Sequence, residues 1–154
     1  MPFLIDGHNL IPKIPGLSLA QPDKEDALIR LLQNWCAAWR KTAEVYFDKA
    51  PPGQAGSRKF GAVTARYVPA SHSADSAIGA RLARLAGAAR GWVVVSSDRQ
   101  VQAEARSAGA RALPAETFAA QLLAAPPASP AAETPLSPQE VDEWLALFEE
   151  TPRA

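Results

Sequence analysis

Four aspartates sit where apolar, strand-like runs give way to turns or helix starts. Asp6 follows Phe3-Leu4-Ile5, Asp48 follows Val45-Tyr46-Phe47, and Asp98 follows Val93-Val94-Val95-Ser96-Ser97. Asp75 opens the helix expected after Val63-Thr64-Ala65-Arg66-Tyr67-Val68. In an open parallel α/β sheet the carboxyl ends of the strands border one crevice, and ligands bind there. Carboxylates delivered to that crevice from separate strands repel one another unless a divalent cation lies among them. A set of hard oxygen donors suits Mg²⁺ or Mn²⁺, not zinc. The chemistry that follows is metal-assisted attack on a phosphate.

Each aspartate also has an ordinary explanation. Asp6-Gly7 is a common turn pair, and Asp98 can simply cap a helix. Capping does not account for Asp48, however, and turn chemistry does not account for Asp75. Asn9 lies just beyond the first strand, and Ser96-Ser97-Asp98-Arg99 adds hydroxyls and a cation beside the last aspartate. Such groups orient a metal-bound water or hold a phosphate oxygen.

The elements that carry these residues alternate between strand and helix as far as about residue 124. Phe3–Asp6 is all apolar before its acid, as in a strand buried on both faces. A Pro/Gly-rich loop follows, and Asp23 can then cap a helix. Leu28, Leu31, Leu32, Trp35 and Trp39 recur along it at helical spacing. Glu44–Asp48 reads as the second strand. The segment 49–61 contains Pro51, Pro52, Gly53, Gly56 and Gly61 without periodicity, so it reads as a crossover loop. Val63–Val68 is the third strand, and Ser73 is a natural N-cap for a helix with Ile78, Leu82 and Leu85 inward. Trp92–Val95 is the fourth strand. Ser97 or Asp98 starts a helix that Gly109 ends. A short strand near Ala110–Leu113 and a helix from Pro114 complete the unit. This order predicts an α/β fold with a central parallel sheet flanked by helices.

Leu4-Ile5-Asp6-Gly7-His8-Asn9-Leu10, the Phe47-Asp48 strand end, Ser73-Ala74-Asp75-Ser76 and Val94-Val95-Ser96-Ser97-Asp98 together resemble the YacP-like NYN domains of the PIN-like (FLAP-nuclease-like) superfamily. The resemblance runs from residue 3 to about 124, with four motifs in register. It implies a Rossmann-like sheet and an Mg²⁺- or Mn²⁺-dependent endoribonuclease. The family's acidic positions fall on Asp6, Asp75 and Asp98, and less directly on Asp48. The family often has Tyr where His8 stands, a departure that leaves a ring able to stack or hydrogen-bond. On this reading Asn9 and Ser97 join the catalytic set, and RNA is the partner. Lys49, Arg58 and Lys59 would clamp it, with Arg81, Arg84 and Arg99 extending the rim, because phosphate contacts dominate affinity. Arg81 and Arg84 also fit a merely solvated helix face. Trp35, Trp39 and Trp92 read as core, and His72 as a loop residue near Asp75.

Composition narrows the class further. With 154 residues at 47% hydrophobic content, the chain can bury one real core. The zero net charge hides an asymmetry: from Glu133 onward six acids face one base, and residues 1–132 carry 15 bases against 10 acids. Cys36, the single cysteine, excludes an internal disulfide and reads as a buried thiol. Met1–Asp6 reads as a strand and not a signal peptide, and no stretch approaches the roughly 18 apolar residues of a membrane span. A soluble cytoplasmic protein is the expectation. Residues 125–136 read as an Ala/Pro-rich linker. Ser137-Pro138-Gln139-Glu140 is a capping box opening an acidic amphipathic helix over 137–150. Its face of Val141, Trp144, Leu145 and Phe148 would dock on a protein partner or back on its own domain.

Three rivals to the nuclease reading follow from the same residues. A non-catalytic RNA-binding module would keep the fold and lose the cut. An aspartyl-phosphate phosphatase needs a second Asp two residues after the first, where His8 stands. A nucleotide-binding module would show a Gly-rich loop after the first strand, and none follows Asp6.

Overall fold

Six strands and five helices build the part of the chain that the computed structural model describes, residues 1–124. The strands are β1 (Pro2–Asp6), β2 (Thr42–Ala50), β3 (Gly56–Phe60), β4 (Val63–Pro69), β5 (Val93–Val95) and β6 (Arg111–Leu113). The helices are α1 (Gly7–Leu10), α2 (Lys24–Trp39), α3 (Ala74–Leu85), α4 (Arg99–Ser107) and α5 (Ala115–Leu123). Short 3-10 turns at Ile11–Lys13 and Ala86–Gly91 link them. The sheet runs β3-β4-β2-β1-β5-β6. All neighbours are parallel except β3, which pairs antiparallel with β4.

The apolar runs of the sequence become the middle of this sheet because both of its faces are covered. Phe3, Ile5, Val45, Phe47 and Val95 pack against α2 and α5 on one face. Leu4, Tyr46, Val68 and Val94 pack against α3 and α4 on the other. On the first face Phe3, Trp35 and Phe118 form an aromatic knot, with Trp35 edge-on at 5.0 Å from each of the other two rings. Cys36 is buried on the same face, and burial pushes its thiol up to about 11, so it is inert at neutral pH. α3 is capped as its sequence implies, with the Ser73 hydroxyl accepting from the Ser76 amide at 3.1 Å. Gly109 at φ 90° closes α4 in the left-handed region that glycine favours.

The segment 49–61 corrects the sequence-based expectation. Its second half is no crossover loop but β3, hairpinned onto β4 through Gly61 at φ 65°. The sheet is therefore mixed, not wholly parallel. Gly56-Ser57-Arg58-Lys59 stays exposed at the sheet edge, so β3 has no buried alternate face to mark it as a strand. The short helix α1 was likewise hidden behind the Asp6-Gly7 pair. The linker at 125–136 and the helix at 137–150, with its docking face around Trp144, lie outside the described residues. Among the described residues no helix is long and apolar enough to cross a membrane.

Candidate active site

The chain turns from β1 into α1 with no loop at all, and Gly7 permits it. A Cβ at Gly7 would stand 2.5 Å from Phe47 Cε1 and 2.9 Å from the Tyr46 carbonyl oxygen, so only glycine lets α1 start hard against β2. The tight start aims three successive side chains. Asp6, alternating with Leu4, falls on the α3–α4 face of the sheet. His8 is held between two carboxylates, with Nδ1 2.6 Å from Asp48 Oδ1 and Nε2 2.7 Å from Glu25 Oε2. Asn9 Oδ1 accepts from the Ser97 amide at 2.7 Å, stitching α1 to the turn after β5.

That second turn is built around two serines. Ser96 is buried; its hydroxyl donates to Asp6 Oδ2 at 3.2 Å and accepts from the Asp98 amide at 3.0 Å. Ser97 Oγ accepts from the Ala115 amide at 3.0 Å and donates to Glu116. Asp98 caps α4, its Oδ1 accepting from the amides of Gln100 and Val101 at 2.8 and 3.3 Å. Asp75 lies in the first turn of α3. Asp48 sits where β2 loses register with β4, between Phe47 and Ala50, and the next residue, Lys49, takes φ 62°. Such an irregularity re-aims the side chains beside it and ends the pairing.

Electrostatics ties these separate carboxylates together. Asp6, 6% exposed, is pushed up to about 6 by its burial and then by the charges of Asp75 and Asp48, against the Ser96 hydroxyl. Asp75 is raised by burial and by Asp98, Asp48 and Glu104. Each of the four sequence-selected aspartates therefore appears among the charges acting at one end of the sheet. His8 shows the opposite balance. Burial would lower it, but Glu25 and Asp48 outweigh burial and raise the ring above its ordinary value.

The donor set is all carboxylate oxygen, which fits a hard divalent cation in kind and in charge. It is not gathered into a finished ligand cage: among the described residues no three acidic, His or Cys side chains stand close enough to grip an ion. Asp48 is turned to His8, and one oxygen of Asp98 is occupied by helix amides. Binding would draw the carboxylates inward and relieve the repulsion that raises Asp6 and Asp75.

The basic residues separate into two groups. Lys49 is exposed beside the pocket that His8, Glu25 and Asp48 line, and Arg99 is exposed at the start of α4. Arg58 and Lys59 are exposed on β3, with Arg58 5.6 Å from the centre of the Tyr67 ring. Arg81 is different. Its guanidinium makes two bonds to Glu44, at 3.0 and 2.8 Å, and lies 5.3 Å from the centre of the Trp92 ring. It holds the sheet to α3 instead of standing free on a rim. Glu25, Glu104 and Glu116 were not singled out from the sequence as site residues. Each acts through a partner at least 17 positions away, and no local spacing marks it.

A mostly parallel sheet with helices packed on both faces defines a Rossmann-like α/β fold, here with acids gathered at one end of the strands. The model of the YacP-like NYN domain matches residues 3–140, and the chain belongs to that family. Two crystal structures of Rae1 (YacP) from Bacillus subtilis share its fold. The wild-type form has 22% identity and a TM-score of 0.65, covering 79% of this chain and 73% of that one. The W164L mutant has 21% identity and a TM-score of 0.64, with 79% and 74% covered. No curated protein matches the sequence significantly.

Proposed function

We propose that the chain is a metal-dependent endoribonuclease that uses Mg²⁺ or Mn²⁺. The observation that carries this is that Asp75 and Asp48 both raise Asp6 while Asp98 and Asp48 both raise Asp75, at one end of the sheet, in a family of the PIN-like nuclease superfamily. Asp6, Asp75 and Asp98 would hold the cation, with Asp48 a further ligand or an acceptor through water. When bound, the ion supplies positive charge to acidify an attacking water and to steady the leaving oxygen.

The chain's own part is positioning. One hydroxyl, Ser96 Oγ, ties an oxygen of Asp6 to the backbone that carries Asp98. Asn9 pins the Ser97 amide, which sets the turn that presents Asp98. His8 holds Asp48 at hydrogen-bond distance, and its neighbouring carboxylates favour its protonated form. Lys49, Arg58, Lys59 and Arg99 are exposed to meet RNA phosphates, with Arg81 anchoring the helix behind them. Water, not the 2′-OH, is the nucleophile on this reading, so products carry 5′-phosphates.

The test is cleavage of end-labelled RNA with Mg²⁺ or Mn²⁺ and with chelator, alongside Asp98→Asn. Metal-dependent internal cuts that the variant loses support the proposal; cuts that survive chelation and Asp98→Asn equally would refute it. One observation favours a second reading, a non-catalytic RNA-binding module: the carboxylates do not already form a cage. RNA binding without any cut in either metal would establish that alternative.

A further inference from the structure

On the same face of the sheet as Asp6, a cleft of about 400 Å³ opens between the β3–β4 hairpin and α3. Its polar lining includes Ser57, Arg66, His72, Ser76, Arg81 and Arg84, over the ring of Tyr46. Strand register places it relative to the acids: Asp6 pairs with Tyr46, Tyr46 with Arg66, and Arg66 with Ser57. Arg66 therefore stands two strands from Asp6, about 10 Å along one row of the sheet. His72 and Ser76 flank Asp75 in the chain, so one turn of backbone serves both cleft and acids.

The cationic groups are fixed in place but not used up. Arg66 donates from Nε to Glu44 at 3.2 Å and from Nη1 to Ser57 at 2.8 Å, and its Nη2 makes no bond among the described residues. Arg81 takes both oxygens of Glu44, so two guanidiniums share one carboxylate and the cluster keeps a net positive charge. Arg84 is exposed and pairs with no acid among the described residues. His72 is tied only through Nδ1, to the Ser71 hydroxyl at 3.0 Å. Positive, preorganised donors around a cleft suit an oxyanion, and guanidinium forks suit phosphate above all.

We propose that this cleft seats a backbone phosphate of the RNA strand flanking the scissile bond. The assignment rests on the nuclease reading above and adds to it a subsite that sets the direction in which the strand crosses the sheet. A contact to phosphate carries no base preference, so the subsite should contribute equally to every sequence.

The test separates the subsite from the reading beneath it. In an Asp98→Asn background, which leaves bound RNA uncut, fluorescence anisotropy follows single-stranded RNAs of two unrelated sequences across a salt series in Mg²⁺. Arg84→Ala should weaken both RNAs by a similar factor of severalfold. It should also flatten the slope of log affinity against log salt by about 0.7, one phosphate contact on a single strand. Arg106→Ala, exposed at the opposite end of the sheet, should leave that slope alone. Because the Arg84 side chain is exposed and unpaired among the described residues, its removal should not move the melting temperature. RNA bound normally with an unchanged slope in Arg84→Ala, or an equal change in Arg106→Ala, overturns the subsite and leaves the nuclease reading standing. Absence of RNA binding with Arg84 intact removes both.

Discussion

Two polar clusters share the α3 face of the sheet, and they obey opposite rules. Around Glu44, the buried carboxylate is fully answered. Arg81 and Arg66 donate to its oxygens, and the Tyr46 hydroxyl adds a third donor at 3.0 Å. Burial would raise Glu44, but these partners outweigh it and hold the carboxyl below its usual range. A strand away, the Ser96 hydroxyl and the Asn9 backbone do not outweigh burial and the charges of other acids on Asp6, and its pKa goes up. The first cluster is a structural joint between sheet and helix. In the second, burial and like charges make ionised Asp6 costly to stability, the imbalance expected where a site is kept for function.

The largest effect that could break this contrast is on activity. Asp98→Asn and Asp6→Asn should each lower RNA cleavage at least about 100-fold, since ion-mediated charge stabilisation is worth several kcal/mol and each 1.36 kcal/mol is tenfold. Initial rates at saturating Mg²⁺ would measure it. Glu44→Gln should lower the rate far less, and a comparable loss there would mean that the two clusters are not functionally distinct.

Stability should respond in the reverse sense. Asp6 has a folded pKa of about 6 against an ordinary 3.8, so between those values the folded chain holds a proton that the unfolded chain releases. Stability of the metal-free protein therefore falls as pH rises through that window, and the penalty is complete above it. Asp6→Asn should remove the penalty, stabilising the metal-free protein at pH 7 by up to about 3 kcal/mol. Urea melts in chelator at pH 4 and pH 7 would show the gain at the higher pH only. An inactive variant that is also less stable at pH 7 would contradict the cost assigned to this site.

Glu44 carries the opposite slope. Its folded pKa is depressed, so its contribution is present above its ordinary 4.5 and fades as pH falls through the folded value. Glu44→Gln should cost about 2 kcal/mol at pH 7, a figure reduced from the fully buried case because Arg66 and Arg81 are 34% and 25% exposed. The difference from wild type should shrink in acid. A cost that is flat from pH 3 to pH 7 would show that shape, not charge, holds the joint.

The clusters were not equally legible beforehand. The acids could be found because strand ends are readable: each of Asp6 and Asp48 closes an apolar run, and Asp98 follows one across two serines. Glu44 stands inside β2, between Ala43 and Val45, where a lone polar residue looks like the solvent side of a half-exposed strand. Its partners lie 22 and 37 positions away, and only folding reveals them. Distance along the chain hid Glu25 as well. β3 was missed because an edge strand buries almost nothing, and α1 because Gly7 does the work of close approach where a turn was expected. Burial is written locally in a sequence; charge pairing across a sheet is not.

Tyr46 supplies the smallest and sharpest test, because it touches both clusters. Its backbone pairs with Asp6, its ring floors the cleft beside Arg66, and its hydroxyl donates to Glu44. Burial and the Glu44 charge push the phenol well above its usual range, so it stays a donor at every working pH. Tyr46→Phe removes that donor and keeps the ring. Glu44 retains three guanidinium bonds, so the cost should be only about 1 kcal/mol. Combined with Glu44→Gln the two losses should sum to less than their separate values, because both cut the same contact. Additive losses would place the hydroxyl's worth elsewhere, and the nearest alternative is the acidic end of the sheet. A change in the pH dependence of cleavage in Tyr46→Phe would then identify that end as its target.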